Sequence, residues 1–160
     1  MAIEQEIAQG LRAVKIIWGA IFSSLAVYAV LGPLVGDKVT AGLPAETFTM
    51  LRAALYVVSL CTIIGARVVR RKMLSPSALL PRYPSAAGDA AQTVRRYTAA
   101  VVVSLALTEA VAIYGFILYI LGKNQTDLYA LILLAAAAML LHAPKRSEML
   151  DLMPNQANRR

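Results

Sequence analysis

A chain of 160 residues that is 59% apolar, with a mean hydropathy of +0.62, falls outside the range of ordinary soluble domains and belongs with membrane proteins. A single cysteine, Cys61, excludes an intrachain disulfide and a thiolate metal cluster, and a single histidine, His142, leaves no pair for a histidine metal site. The net charge of +7 sits on basic residues that flank apolar runs and are not interleaved with aromatic ones, so it reads as a membrane orientation signal and no nucleic-acid partner is expected.

The first ten residues are polar and acidic, unlike the basic start of a secretory signal, and residues 16–35 then form an uncharged first span that is expected to be retained. Pro33 near its far end predicts a kink or an early helix stop. Residues 36–49 collect Gly, Pro and Thr and read as a loop. The second span is placed at 50–69. Only 53–66 is free of charge there, so Arg52 and Arg67 must snorkel along their aliphatic stems to the two interfaces.

Residues 67–96 form a basic, Pro-rich loop in which Pro76, Pro81 and Pro84 forbid a long continuous helix. A third span at 97–122 carries no charge except Glu109. A short turn at 123–126 leads to a last span at 127–143, ended by Pro144, whose four alanines at 135–138 offer a face for close helix packing.

The expected fold is therefore an all-α membrane protein, one domain over 1–160, with four transmembrane helices arranged as two hairpins. The N-terminus, the loop at 67–96 and the C-terminal tail hold thirteen Lys and Arg, against three on the other side, which places both termini and that loop in the cytoplasm. Setting Tyr28 on Tyr114 also matches Ala26 with Ala112 and Gly36 with Gly122. The following helices align Arg70 with Arg146, Met73 with Met149 and Leu74 with Leu150. Two alignments in the same order suggest a tandem duplication, with repeats at about 11–74 and 97–150 that run parallel about an axis along the membrane normal.

Glu109 is the candidate functional residue. An ionised carboxylate near the centre of a span costs at least about 2.5 to 3.5 kcal/mol, so the group is expected to be protonated or held by polar partners. Where the second repeat has Glu109 the first has Ser23. Ser23, Ser24 and Thr108 are the nearest polar groups by sequence, and a hydroxyl from the first repeat is expected on the carboxyl. Tyr114 lies about 140° around the helix from Glu109 and can approach only from another helix or subunit.

The stretch ALTEAVAIYGFILYIL resembles the carboxylate-bearing helix of the proteolipid c subunits of rotary ATP synthases, in which a Glu is followed by an apolar turn, Tyr and Gly. The resemblance implies that Glu109 is the ion-binding carboxylate and that Tyr114 helps fix it. It also implies a proton rather than Na⁺, because Ala110 stands where sodium-binding members carry Ser or Thr. The first span, with Ser23 in place of the Glu, resembles the carboxylate-free half of duplicated members. Three departures stand beside it: the carboxylate is on the first helix of its hairpin, not the second, neither 50–69 nor 127–143 carries the family's GxGxG pattern, and the Arg-Gln-Pro loop signature is replaced by Arg82-Tyr83-Pro84.

The expectation is a small membrane subunit of a homo- or hetero-oligomeric complex, embedded in the lipid bilayer, with Glu109, Tyr114, Thr108 and Ser23 as its ion-binding group. No catalytic residue, cofactor or metal is expected. The alternative reading makes the chain an accessory, assembly or self-associating protein in which Glu109 is an interhelix hydrogen-bond group. Nothing near the Ser- and Pro-rich loop is placed to activate a nucleophile, so an enzyme is not expected.

Overall fold

The computed structural model describes residues 2–36, 38, 43–75 and 89–152. They form four main helices, α1 (Ala2–Gly36), α2 (Ala45–Leu74), α3 (Asp89–Gly122) and α4 (Gln125–Leu141), followed by a short α5 (Arg146–Asp151). No strand occurs among the described residues. Three of these helices are long and apolar enough to cross a membrane, over Ala8–Gly36, Ala45–Leu74 and Gln92–Gly122. Large apolar side chains such as Ile16, Val30, Leu34, Val57 and Ile64 stand exposed on their outer faces, as does Leu133 on α4, where lipid would cover them. The architecture is that of a helical membrane protein.

Helix ends follow local chemistry. Helix α2 starts directly after Pro44, carries Glu46 in its first turn and Arg71 and Lys72 in its last, and so matches charge to the helix dipole at both ends. It stops at Leu74 because Ser75 precedes Pro76 and is pushed into an extended conformation (φ −66°, ψ 140°). Helix α4 is capped by Asn124, whose side chain accepts the Thr126 N–H at 3.0 Å, and it ends shortly before Pro144. Between α3 and α4 the chain reverses in two residues, with Lys123 in the left-handed region (φ 56°).

Several boundaries differ from the sequence reading. Helix α2 begins five residues before the expected span, and α3 begins eight residues before Tyr97, so both helices extend into the segments read as loops. Apolar runs mark where lipid begins, whereas backbone hydrogen bonding continues into polar sequence until something stops it. Pro33 sits in the last turn of α1, three residues before its end at Gly36. The three prolines expected to break helix at 76–84 lie outside the described residues, as does Arg82-Tyr83-Pro84. Helix α4 has 17 residues, about 25 Å, and is shorter than the other three.

The bundle is built around α3, which packs against α1, α2 and α4. In the apolar windows 44% of α3 is buried, against 11% of α1 and 6% of α2, so α3 is the inner helix and the other two present most of their surface outward. Helices α3 and α4 approach closely at Gly115. A Cβ there would stand 2.9 Å from Leu131 Cβ and 3.2 Å from the Leu128 carbonyl.

One end of the bundle is tied by polar contacts. Tyr97, fully buried at the base of α3, donates to the Lys145 carbonyl (3.1 Å) and accepts the Lys145 N–H (2.9 Å). Arg70 of α2 donates to the His142 carbonyl at the end of α4 and to Glu148 of α5 (2.6 Å). Arg96 donates to the Met73 and Ser75 carbonyls, joining the start of α3 to the end of α2. At the opposite end Lys123 donates to the Gly36 carbonyl.

Candidate functional site

Glu109 lies twelve residues beyond Tyr97 and thirteen before the end of α3, roughly 18 Å and 20 Å along the axis, which puts it near mid-span. It is half-buried on the seam between α3 and α1. Two hydroxyls from α1 meet the same carboxyl oxygen: Ser24 Oγ is 2.6 Å and Tyr28 Oη 3.2 Å from Glu109 Oε1. Ser24 and Tyr28 are one turn apart and so share the face of α1 turned toward α3, along with the buried Leu25. The Tyr28 ring is held in turn by Phe116, with centroids 6.2 Å apart.

The Ser24 hydroxyl is also 2.7 Å from the Ile21 carbonyl. It has one proton and two acceptors in reach, and that decides what the site can do. With Glu109 ionised, Ser24 donates to Oε1. With Glu109 neutral, the carboxyl proton is donated to Ser24 Oγ and the serine proton turns to the Ile21 carbonyl. One hydroxyl rotation serves both charge states, with Tyr28 donating to the carboxyl throughout.

The other expected members lie elsewhere. Ser23, one residue from Ser24, faces outward and donates to the Ala20 carbonyl at 2.7 Å. Thr108 is fully buried and donates to the Ser104 carbonyl at 2.8 Å. Tyr114 is half-buried against the apolar core. The fold therefore brings Glu109 together with a hydroxyl of the first span, and of the expected neighbours Ser23, Ser24 and Thr108 it is Ser24, while the tyrosine is Tyr28 and not Tyr114. Tyr28 is the residue set against Tyr114 in the internal alignment.

A second polar cluster was missed. Asp127, in the first turn of α4, is completely buried. Its Oδ1 accepts from Arg52 Nε (2.9 Å) and Tyr56 Oη (2.9 Å) and lies 2.8 Å from Arg52 Nη2, while Oδ2 has no partner among the described residues. Arg52 and Tyr56 are one turn apart on α2, and that spacing opposite an Asp heading an apolar helix was the available signal. The snorkelling expected of Arg52 takes the form of an ion pair. His142 is buried with its Nδ1 2.6 Å from the Ala138 carbonyl. Among the described residues no group of three or more His, Cys, Asp or Glu could hold a metal.

No known protein family, curated protein or solved structure matches this chain.

Proposed function

We propose that the chain is a small integral membrane subunit of an oligomeric complex, similar in its chemistry to a c subunit, and that Glu109 binds and releases a proton within the bilayer. The observation that carries this reading is the Ser24 hydroxyl, poised 2.6 Å from Glu109 Oε1 and 2.7 Å from the Ile21 carbonyl, which supports either charge state of the carboxyl without moving a helix.

Four crossings with both termini cytoplasmic complete the proposal. Helix α4 is short, but the bonds of Tyr97 to Lys145 and of Arg70 to the His142 carbonyl return its far end to the base of α3 and α2, which supports a fourth crossing. The basic residues at that end support its cytoplasmic placement. A tandem duplication remains part of the proposal on the sequence matches, although α3 packs closely on α4 while α1 and α2 are set apart by α3.

The test is carbodiimide labelling of the protein in mild detergent from acid to alkaline pH, with mass mapping and Glu109→Gln as control. The reagent modifies the protonated carboxyl, so selective labelling of Glu109 that fades as pH rises is expected. Absence of labelling at every pH, with oligomer size unchanged in Glu109→Gln, overturns proton binding and leaves the accessory or self-associating reading. Protection by Na⁺ would replace the proton by a sodium ion.

A further inference from the structure

Helix α2 has two opposite faces with different work. Its inner face carries Tyr56, Ser59, Ile63, Ala66 and Arg70, of which Ser59, Ala66 and Arg70 are buried. Its outer face carries Val57 (60% exposed), Leu60 (54%), Ile64 (64%) and Val68 (45%), and then Arg67, Arg71 and Lys72, all exposed. At 100° per residue these seven positions fall within roughly 140° of arc, so apolar stripe and basic end form one continuous surface. From Val57 to Val68 the stripe is about 16 Å long, close to half of the roughly 30 Å hydrocarbon core and hence to the depth of one leaflet.

We infer that this face is a binding site for an anionic phospholipid, with its headgroup phosphate held by Arg67, Arg71 and Lys72 and an acyl chain lying along Val68, Ile64, Leu60 and Val57. Orientation alone requires basic residues on one side of the membrane. It does not require two arginines one turn apart, on the same face as a leaflet-length apolar stripe, while Arg70 between them turns inward to join α4 and α5. Guanidinium groups suit phosphate oxygens in geometry and charge. Among the described residues none pairs with Arg67, Arg71 or Lys72, whereas Arg70 and Arg96 are both committed to carbonyls. Arg96 holds the start of α3 against the end of α2, which places exposed Arg95 at the same end of the bundle as a further positive charge. An anionic headgroup complements this surface; a zwitterionic one does not.

The test is phospholipid retention, read by native mass spectrometry, together with the thermal midpoint in detergent, for the full chain with added phosphatidylglycerol or phosphatidylcholine. Phosphatidylglycerol is expected to be retained preferentially and to raise the midpoint. R67Q/R71Q/K72Q is expected to lose affinity by about fivefold per charge removed. R12Q/K15Q, which removes basic residues of the same end from α1, is expected to keep most of the binding. All three substituted α2 side chains are exposed, so the variant's midpoint without lipid should match the parent's. Equal retention of the two lipids, undiminished binding by the α2 variant, or the same loss per charge in both variants overturns the site. An equal midpoint shift with inorganic phosphate overturns the lipid in favour of a soluble anion.

Discussion

Asp127 is completely buried, while Arg52, 2.8 Å from it, keeps 44% of its side chain exposed. The pair is therefore unequal in what each partner can do alone. Removing Arg52 strands an acid with only Tyr56 to hold it, whereas removing the charge of Asp127 leaves an arginine that can turn outward along its stem. Arg52→Gln is expected to destabilise by about 3 kcal/mol and Asp127→Asn by about 1 to 2 kcal/mol, with the double variant less unstable than Arg52→Gln alone. Thermal unfolding in detergent of the three variants decides it, and a larger loss in Asp127→Asn would contradict the asymmetry.

Ser24 and Glu109 should be energetically coupled, and Ser23 and Glu109 should not. A double-mutant cycle between Ser24→Ala and Glu109→Gln is expected to give about 0.6 to 1.7 kcal/mol, while the same cycle with Ser23→Ala gives about zero. Tyr28→Phe should cost less than Ser24→Ala, since its bond is longer, 3.2 Å against 2.6 Å.

Gly115 lies at a close approach of α3 and α4, and the neighbours of a new Cβ include backbone carbonyls and another Cβ, neither of which can swing away. Gly115→Ala is expected to destabilise by about 1 to 3 kcal/mol. Gly19 and Gly65 have open space at the same point, so Gly19→Ala and Gly65→Ala should be neutral or stabilise by up to about 1 kcal/mol through helix propensity. Equal effects at all three positions would contradict the close approach.

Adjacent arginines on α2 should behave oppositely. Arg70 is buried and joins α2 to the end of α4 and to α5, so Arg70→Gln is expected to cost about 2 to 3 kcal/mol and to expose the amides of α5 to hydrogen exchange. Arg71 is exposed, and Arg71→Gln should change stability by less than about 0.5 kcal/mol in lipid-free detergent. Glu148→Gln should fall between them, because Arg70 keeps its bond to the His142 carbonyl.

The sequence by itself determined the helices and the environment that they suit. Apolar runs marked α1, α2 and α3, although the uncharged run in α2 covers only 53–66 and all three helices extend beyond the expected spans. Pro76 and Pro144 lie just past the ends of α2 and α4, but α2 runs to Leu74 where the expected span ended at 69, and α4 starts at Gln125 behind its Asn124 cap where the expected span began at 127. It also singled out Glu109, because a carboxylate in an apolar run is visible without a fold. It did not say which face of each helix turns inward. In a soluble protein the inner face is apolar and the outer face polar, but lipid-facing positions here are as apolar as the core, so periodicity carries little information. A rotation of α1 by one residue, 100°, separates Ser23 from Ser24, and no pattern in residues 16–35 distinguishes them. Only the packing of α1 against α3 brought Ser24 and Tyr28 to Glu109 and turned Ser23 outward. The same holds for Asp127: its pairing with Arg52 and Tyr56 depends on how α2 and the head of α4 meet, a relation between segments 71 to 75 residues apart that no local spacing encodes.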